Sequence, residues 1–278
     1  MLADVVERLA CPVCAEPLLL AEKALRCARG HAFDIARQGY ANLLPGNARP
    51  GTADTAEMVS AREDFLVTGR FAPMADVLSE IVTAEPGIGC VLDAGAGTGY
   101  YLSAVLRPLE HAAGIALDLS KYAARRAARA HPRIGAVVAD LWRPLPIRAG
   151  SVDAIVNVFA PRNAAEFQRV LRPGGLLITV TPSPRHLGPL VEALGLVTVD
   201  EQKNERVDSA LGAHFTLEAR RPLEYQATLD HTETEALVRM GPSAHHVPAD
   251  ELRRRLSTLP EPVTTPLSFV ISTFRPTK

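Results

Sequence analysis

Three cysteines and one histidine near the amino terminus have the spacing of a metal site. Cys11 and Cys14 are followed by Cys27 and His31, which gives the pattern Cys-x2-Cys-x12-Cys-x3-His. Zn²⁺ takes four such ligands in a tetrahedron, and two close pairs separated by a short hairpin supply them. Because side chains fill all four positions, the spacing predicts a structural zinc site. The alternative is a chance cluster of reduced thiols.

The same segment predicts a hairpin that brings the two ligand pairs together. Residues 18–20 would form one strand, residues 24–26 the other, and Glu22-Lys23 the turn. In a cytosolic protein, clustered cysteines favour a metal over a disulfide. The fourth cysteine, Cys90, precedes an apolar run and is predicted to be a buried small hydrophobic residue.

A glycine-rich segment forms the second candidate site. The apolar residues Val91 and Leu92 lead into Asp93, and glycines follow at positions 95, 97 and 99. Glycines between a strand and a helix let the backbone turn sharply and let a cofactor lie against it. A dinucleotide site would read Gly-x-Gly-x-x-Gly, and here the third glycine comes one residue early. The glycines by themselves therefore leave the cofactor open.

Acidic and amide side chains follow at the ends of the next predicted strands. Asp118 comes nineteen residues after Gly99, where a carboxylate can accept both hydroxyls of a ribose. Asp140 precedes two apolar residues, a setting that suits an adenine ring, and Asn157 lies near the end of the fourth strand. Open α/β sheets bind ligands at the carboxyl ends of parallel strands. These residues therefore predict one site for a nucleoside-containing cofactor.

Strands that alternate with helices must position these residues. Apolar runs predict five strands, at 90–93, 113–117, 135–139, 153–159 and 176–181. Helices are predicted between them, including 121–130 and 163–171. The alternation implies an α/β fold with a mostly parallel sheet that is covered on both faces.

The composition is that of a globular protein. The chain has 278 residues, 47% hydrophobic and 22% charged, and its length predicts about two domains, or one large domain with an appendage. Its apolar runs are shorter than the roughly 18 residues of a membrane helix, so we expect a cytoplasmic protein without a membrane partner. With 30 basic and 31 acidic residues, the bulk charge does not indicate a nucleic-acid partner. Residues 121–148 are an exception, with seven basic residues and one acidic residue.

The stretch 91–181 resembles the class I S-adenosylmethionine-dependent methyltransferases. Its glycine-rich turn, its acidic strand ends and a Pro-Gly-Gly turn at 173–175 all have counterparts in that class. The resemblance implies a Rossmann-like domain with a seven-stranded, mostly parallel sheet and a reversed final strand. It also implies contacts of the methionine part with Gly95, Gly97, Thr98 and Gly99, of the ribose with Asp118, and of the adenine with Asp140. Asn157 would lie near the transferred methyl group.

Flanking segments extend the resemblance to one family. The zinc segment continues into FDIARQGYANLL at 33–44, and GRF at 69–71 and TPSPRHL at 181–187 follow. Together they are similar to the RlmA family of 23S ribosomal RNA guanine-N1 methyltransferases. That family implies cofactor contacts at Phe71 and His186, and it makes Asn157 and His186 the catalytic candidates. Asn157 stands where another branch has an arginine, which favours the tylosin-resistance branch, RlmA(II)/TlrB.

The family also implies how the chain is divided and what it binds. Residues 1–45 would be a zinc-binding RNA-recognition module, 46–85 a linker and helical connector, and 86–278 the methyltransferase domain. The last two strands are expected at 225–229 and 267–273, and 200–222 is expected to be an insertion near the active site. The expected partners are a hairpin in domain II of 23S rRNA, near the macrolide-binding exit tunnel, and a second copy of the chain. The expected effect is macrolide resistance.

Two other functions stay open on the sequence. A small-molecule methyltransferase with a structural zinc ribbon would share the fold and the cofactor, and the near-neutral charge favours it. A zinc-dependent nucleic-acid-binding protein with an inactive methyltransferase domain would share the fold alone, and the intact glycines and aspartates argue against it. Salt-dependent RNA affinity tests the first alternative, and cofactor binding tests the second.

Overall fold

The computed structural model describes residues 1–46, 53–198 and 202–277. Residues 47–52 of the expected linker, and 200 and 201 of the expected insertion, lie outside the described residues. The described chain forms a small antiparallel sheet and a larger mixed sheet. None of its described helices is long and apolar enough to cross a membrane.

The small sheet lies among the predicted zinc ligands: Cys11 and Cys14 precede its first strand, Cys27 ends the second, and His31 precedes the third. β1 (Leu18–Ala21) and β2 (Ala24–Cys27) form the predicted hairpin. The sheet has one strand more than predicted, because Gly30 (φ +86°) turns the chain back and β3 (Ala32–Asp34) pairs with β2. Two 3-10 helices precede the sheet, Leu2–Asp4 and Val6–Arg8.

The large sheet has the strand order β10-β11-β9-β8-β5-β6-β7-β4. Its strands are β4 (Tyr40–Asn42), β5 (Cys90–Ala94), β6 (Ala113–Asp118), β7 (Ile134–Val138), β8 (Val152–Val158), β9 (Leu171–Pro182), β10 (Phe215–Leu229) and β11 (Val263–Pro276). The strands from β4 to β9 pair in parallel, and β11 is antiparallel to both of its neighbours. The predicted α/β fold with a mostly parallel sheet and a reversed final strand is confirmed.

The expected strand number was wrong, since the sheet has eight strands and not seven. The extra strand, β4, lies in the segment expected to belong to the zinc module, and it pairs in parallel with β7. Three residues are too few to show the alternation by which a strand is recognised in a sequence. β4 covers the edge of β7, which would otherwise offer unpaired backbone groups. The division of the chain at residue 45 stays a prediction.

Helices connect the strands and cover the sheet. The described helices are α1 (Ala56–Val67), α2 (Ala72–Thr83), α3 (Tyr100–Leu106), α4 (Lys121–Ala130), α5 (Ala164–Val170), α6 (Gly188–Leu194), α7 (Lys203–Leu211), α8 (His231–Arg239) and α9 (Ala249–Leu256), with a 3-10 helix at Pro242–His245. The side chains of Thr55, Ser120 and Asn163 cap α1, α4 and α5 by accepting a backbone hydrogen bond. α4 has its predicted bounds, and α5 begins one residue later than predicted because Asn163 is the cap.

The last two strands are longer than predicted. β10 begins at Phe215 and not at 225, and β11 covers all of the predicted range 267–273. Most residues of β10 are exposed, so its first half lacks the apolar alternation that marks a strand. Val207 and Leu211 of α7 pack in one buried cluster with Phe215 and Phe274. Residues 202–222 therefore extend the sheet and its covering layer.

Each face of the large sheet has its own buried layer. On one face, Leu9, Leu18 and Leu25 of the zinc segment share a cluster with Leu117 and Val137 of the sheet. On the other face, α1, α2 and α3 pack against the strands. Burying one large aliphatic side chain stabilises a fold by about 1.5–3 kcal/mol. The zinc segment is thus held to the sheet by a shared hydrophobic core.

Candidate functional site

The glycine-rich turn leaves the carboxyl end of β5 and enters α3. Gly95, Gly97 and Gly99 have φ values of +90°, +53° and +79°, which residues with a side chain rarely adopt. A Cβ atom at Gly95 would lie 2.3 Å from the Cβ of Ala160, on the loop that follows β8. Glycine therefore lets the turn and that loop meet at the carboxyl edge of the sheet.

Asp118, at the end of β6, holds the turn in place. Its Oδ2 accepts a 2.8 Å hydrogen bond from the Gly97 N–H, and its Oδ1 accepts one of 2.8 Å from the Ser120 N–H. Burial raises the pKa of this carboxyl group, while the two N–H donors oppose the shift. Thr98, also in the turn, is 9% exposed. Each Asp118 oxygen has a further lone pair with which it could accept a ribose hydroxyl.

Two buried side chains at the ends of β5 and β8 offer unused acceptors. Both carboxylate oxygens of Asp93 and the Oδ1 of Asn157 are buried, and none of them accepts a hydrogen bond of ordinary geometry from a described residue. Burial, and then the neighbouring Asp118 charge, raise the pKa of Asp93 to about 8, against the opposing effect of the Leu102 N–H. Buried acceptors need donors, and the methionine part of S-adenosylmethionine carries a charged ammonium group. The site therefore fits this cofactor, and Asp93 joins the residues that could hold it.

Asn157 is fully buried and ties two parts of the site together. Its Nδ2 donates hydrogen bonds of 2.8 Å to the Ala94 carbonyl and 3.0 Å to the Pro161 carbonyl. Two residues later, Phe159 has a φ of +53° and is 42% exposed. Strain of this kind costs about 1–3 kcal/mol in a residue with a side chain and is concentrated at functional sites. The loop after β8 thus presents an aromatic ring at the carboxyl edge of the sheet.

Phe71 and His186, the two cofactor contacts that the family resemblance implies outside the central motifs, lie around the ring of Phe269. The Phe71 and His186 rings have centroids 5.3 Å and 4.8 Å from that of Phe269. Phe159 also approaches Phe269, at 5.7 Å, while Phe71 itself is 1% exposed. Phe269 was not singled out in the sequence, because an apolar residue in a strand carries no functional signal. The structure brings Phe71, His186 and the β8 loop into one aromatic cluster.

Asp140 lies just beyond β7, which neighbours β6 in the sheet. Its Oδ1 accepts a 2.9 Å hydrogen bond from the Trp142 N–H, and its Oδ2 lies 3.7 Å from Nε of Arg143. Leu141 is buried, whereas Trp142 is 69% exposed. Asp140 also lines a cavity to which Pro12 of the zinc-binding segment contributes. The zinc-binding segment therefore borders the place where adenine is expected.

Arg62 of α1 reaches the glycine turn from the helical side. Its Nη1 bonds to Oδ2 of Asp54 at 2.5 Å, and its Nη2 donates to the Met240 carbonyl at 2.8 Å. A Cβ at Gly97 would lie 3.3 Å from this Nη1. The Asp54 carbonyl in turn accepts a 2.7 Å hydrogen bond from Oγ of Ser120. No local pattern reveals these contacts, since Met240 is 178 residues away along the chain.

The four predicted zinc ligands, Cys11, Cys14, Cys27 and His31, lie together. One ligand atom from each is within 4.8 Å of the others. The His31 Nδ1 is 3.5 Å from the Cys11 Sγ and 3.4 Å from the Cys27 Sγ, and the Cys14 and Cys27 sulfurs are 3.7 Å apart. Tetrahedral Zn–S bonds of about 2.3 Å place neighbouring sulfurs about 3.8 Å apart, so the spacing fits zinc. Four protein ligands leave no open position for water, as in structural sites.

Cys27 of the zinc cluster and Cys90 of β5 differ in the pKa of their thiols. Burial opposes ionisation of Cys27, but N–H groups of His31 and Arg29 and the side chains of His31 and Cys14 lower its pKa to about 6. Zinc binds the thiolate form that this environment favours. Cys90 is 0% exposed in β5, and burial raises its pKa to about 12. The prediction that Cys90 is a buried core residue is confirmed.

Known families match both parts of the chain. The family model for the N-terminal zinc ribbon of RlmA matches residues 9–50, and a methyltransferase-domain model matches residues 91–175. A solved structure described as the conversion of a disulfide bond into a thioacetal group during echinomycin biosynthesis has a TM-score of 0.50. It is 17% identical and covers 73% of this chain and 81% of its own. That likeness concerns the fold alone.

Curated relatives match along the whole chain. The 23S rRNA (guanine(748)-N(1))-methyltransferase of Streptomyces fradiae is 46% identical and covers 99% of both chains. A Micromonospora griseorubida protein assigned as a 23S rRNA (guanine-N(1)-)-methyltransferase is 47% identical over 98% of this chain and 99% of its own. The methyltransferase domain implies S-adenosylmethionine, and the ribbon with its Cys3His cluster implies zinc. The chain belongs to the RlmA family of 23S rRNA (guanine-N1)-methyltransferases.

Proposed function

We propose that this protein transfers a methyl group from S-adenosylmethionine to N1 of one guanine in 23S rRNA. The observation that carries the proposal is the 46% identity, along 99% of the chain, to an enzyme named for guanine 748. The target would be the equivalent guanine, in a hairpin of domain II near the macrolide-binding exit tunnel. The methyltransferase site described above supplies the matching chemistry.

The reaction sets the protein two tasks at the carboxyl edge of the sheet. S-adenosylmethionine, when bound, supplies a methyl group activated by its sulfonium. The protein must place guanine N1 in line with that methyl group and allow the N1 proton to leave. Because N1 takes part in Watson–Crick pairing, the guanine must be unpaired or extruded, which is commonly stabilised by aromatic stacking. The exposed ring of Phe159 supports such stacking.

We assign the cofactor to the residues around the glycine turn. The methionine part would lie against Gly95, Gly97, Thr98 and Gly99, the ribose against Asp118 and the adenine against Asp140. Phe71 and His186 would close the site through the aromatic cluster around Phe269. Asn157 would hold the turn and the β8 loop at the correct separation beside the methyl group.

The hydrogen bonding of His186 bears on its catalytic role. Its Nδ1 accepts a 3.2 Å hydrogen bond from the Ser268 N–H. A neutral imidazole that accepts at Nδ1 carries its hydrogen on Nε2, so Nε2 is then a donor and not a base. This supports contact with cofactor or substrate as the role of His186, in preference to removal of the N1 proton.

Exposed positive charge supports contact with RNA on two parts of the surface. Arg125 and Arg129 of α4 are exposed, and so is Arg26 of the zinc sheet. Two others in 121–148 are already engaged, since Arg126 lies 3.1 Å from Glu63 and Arg133 donates to the Leu109 and Ala112 carbonyls after α3. We therefore propose that residues 1–45 and α4 together bind the RNA.

The test is methyl transfer from labelled S-adenosylmethionine to unmodified 23S rRNA, followed by primer extension. N1 methylation blocks base pairing, so we expect one new stop at a guanine in domain II. Already methylated rRNA is the control and should take up no label. Label without a stop would reject N1. A protein that binds the cofactor but labels neither RNA nor ribosomal particles would instead be a small-molecule methyltransferase.

We further propose a cellular role from the same relatives. Methylation near the exit tunnel would confer or contribute to macrolide resistance, in particular to tylosin, and the rRNA substrate would place the enzyme in the cytoplasm. Expression in a sensitive strain should therefore raise the inhibitory tylosin concentration.

We also propose a homodimer, which would offer a cleft wide enough for an RNA hairpin. Sedimentation should then give twice the chain mass of 29.8 kDa.

A further inference from the structure

One edge of the Arg162 guanidinium is buried and has no hydrogen-bond partner in the described part of the chain. Arg162 lies on the loop between β8 and α5, and its Nε and Nη2 atoms are buried without a hydrogen-bond partner among the described residues. Burial is the sole cause that lowers its pKa to about 10, with no neighbouring charge contributing. Removing such groups from water is costly unless they are paired. The free protein thus keeps a guanidinium edge in need of acceptors.

Other partly buried arginines in the described chain are paired with carboxylates, and even Arg172, whose Nε is likewise buried without a hydrogen bond, lies 2.6 Å from Oδ1 of Asp153. Arg62, Arg70 and Arg169 lie 2.5, 3.0 and 2.6 Å from the carboxylates of Asp54, Glu233 and Glu166. A buried polar group left unpaired in an otherwise well-paired structure calls for an explanation, and a catalytic role is one of those that apply.

The loop is anchored on both sides of Arg162, beside the proposed methyl-transfer site. The Pro161 carbonyl accepts a 3.0 Å hydrogen bond from Nδ2 of Asn157, and Nδ2 of Asn163 donates 3.0 Å to the Leu141 carbonyl. Two residues earlier, Ala160 packs against the glycine turn. Arg162 therefore belongs to a fixed loop at the carboxyl edge, where cofactor and guanine must meet.

The two unpaired atoms have a geometry that selects their acceptors. Nε and Nη2 form one edge of the guanidinium and direct two nearly parallel N–H bonds. Guanine presents O6 and N7 side by side, and a bidentate arginine contact to this pair is the commonest specific contact to the base. The contact leaves N1 free for methylation. It also places positive charge at O6, which shares the negative charge when N1 loses its proton.

We propose that Arg162 binds the target guanine through O6 and N7 and stabilises the charge on O6 as the N1 proton leaves. This inference rests on the proposed function. The N1 proton passes to solvent water, and the electron pair left on N1 forms the new N–CH3 bond. The electrons of the broken C–S bond return to sulfur. Arg162 is then a catalytic residue that also distinguishes guanine from adenine, whose N6 amino group would oppose the guanidinium.

The test crosses variants of the protein with variants of the base. The probe is an RNA hairpin that carries the guanine mapped by primer extension, or 7-deazaguanine in its place, which lacks the N7 acceptor. We expect Arg162→Ala to slow methylation of the guanine RNA by about 10- to 100-fold. The 7-deazaguanine RNA should slow the wild type and add little to the defect of Arg162→Ala. Arg162→Lys should recover only part of the rate, because lysine lacks the fork.

A matched control and a stability measurement accompany the Arg162 variants. Arg254→Ala, on α9, is the matched control and should leave the rate unchanged, because Arg254 is 71% exposed and pairs with Glu251. Arg162→Met should unfold at or above the wild-type temperature, since it removes a buried unpaired charge. A lower unfolding temperature would show that Arg162 has a structural partner and would overturn the proposal.

The remaining outcomes separate other anions from guanine. Loss of S-adenosylmethionine affinity in Arg162→Ala, measured calorimetrically without RNA, would assign the residue to the cofactor carboxylate and overturn the proposal. An equal loss of affinity for both RNAs, with a salt slope smaller by about 1, would make it a phosphate contact and also overturn it. If the wild-type protein methylates no guanine RNA, the proposed function is wrong. If the wild type is active and Arg162→Ala methylates the RNA at the same rate, only this inference is wrong.

Discussion

The Oδ2 of Asp118 accepts a 2.8 Å hydrogen bond from the backbone N–H of Gly97, 21 residues earlier in the chain. The side chain proposed to bind the ribose therefore also sets the position of the glycine turn. One carboxylate links the ends of β5 and β6, so its removal should disturb two parts of the cofactor site together.

Asp118→Ala should weaken S-adenosylmethionine binding by about 10- to 100-fold, since hydrogen bonds to a charged group contribute about 1.5–3 kcal/mol. Isothermal titration calorimetry measures this directly. Asp250→Ala is the control, because that carboxylate is 96% exposed on α9. Unchanged cofactor affinity in Asp118→Ala would contradict the assignment of the ribose to this residue.

Comparing Gly95→Ala with Gly150→Ala separates the effect of a steric clash on stability from the effect of backbone strain. Both glycines have positive φ, but a Cβ at Gly95 would lie 2.3 Å from Ala160, whereas a Cβ at Gly150 would meet nothing within 4 Å. Gly150→Ala should cost only the left-handed penalty of about 1–2 kcal/mol. Gly95→Ala should lower the unfolding temperature further and abolish cofactor binding. Equal unfolding temperatures would show that the β8 loop yields to the added methyl group.

Asp93 should make the stability of the cofactor-free protein fall as pH rises. Its pKa of about 8 in the folded chain lies above the ordinary 3.8, so between these values the folded state holds a proton that the unfolded state has lost. The free energy of unfolding should therefore decrease with pH across this window. Asp93→Asn should flatten that slope in urea titrations at pH 5, 6 and 7. An identical slope in the variant would mean that Asp93 ionises at its ordinary pKa.

The same protonation should couple cofactor binding to proton release. At pH 7 the free protein keeps Asp93 protonated, and a bound ammonium group would favour the carboxylate. Calorimetry in buffers of different ionisation enthalpy should therefore show protons released on binding, up to about one per site. Asp93→Asn should bind more weakly and release none. If wild type and variant release the same number of protons on binding, the released proton comes from a group other than Asp93.

Loss of zinc should loosen the hydrophobic core that the zinc segment shares with the sheet. Cys27→Ser should fail to retain zinc in metal analysis and should unfold at a lower temperature, because Leu18 and Leu25 belong to the same buried cluster. Cys90→Ala is the control and should keep its zinc, since Cys90 lies in β5. A full complement of zinc in Cys27→Ser would remove Cys27 from the ligand set.

The sites that were predictable from the sequence are those whose chemistry is local. Cys11 and Cys14 are three residues apart and Cys27 and His31 four, so each pair is close along the chain, and the hairpin of β1 and β2 brings the two pairs together. Gly95, Gly97 and Gly99 indicate a turn in the sequence, because other residues rarely adopt positive φ. Phe71 and His186 have no such local signal, and only the resemblance to a family pointed to them.

The chain by itself thus determined the zinc ligands, the glycine turn and the alternation of strands and helices, because these depend on spacing and periodicity over short distances. The tertiary structure decided the features that depend on burial and distant partners. β4 is a strand only because the edge of β7 accepts it. Arg62 reaches Met240, Asp93 keeps unpaired oxygens, and Arg162 keeps an unpaired edge because of what surrounds them in the fold. A polar side chain acquires such a property only when folding removes it from water, and that depends on contacts made across the whole molecule.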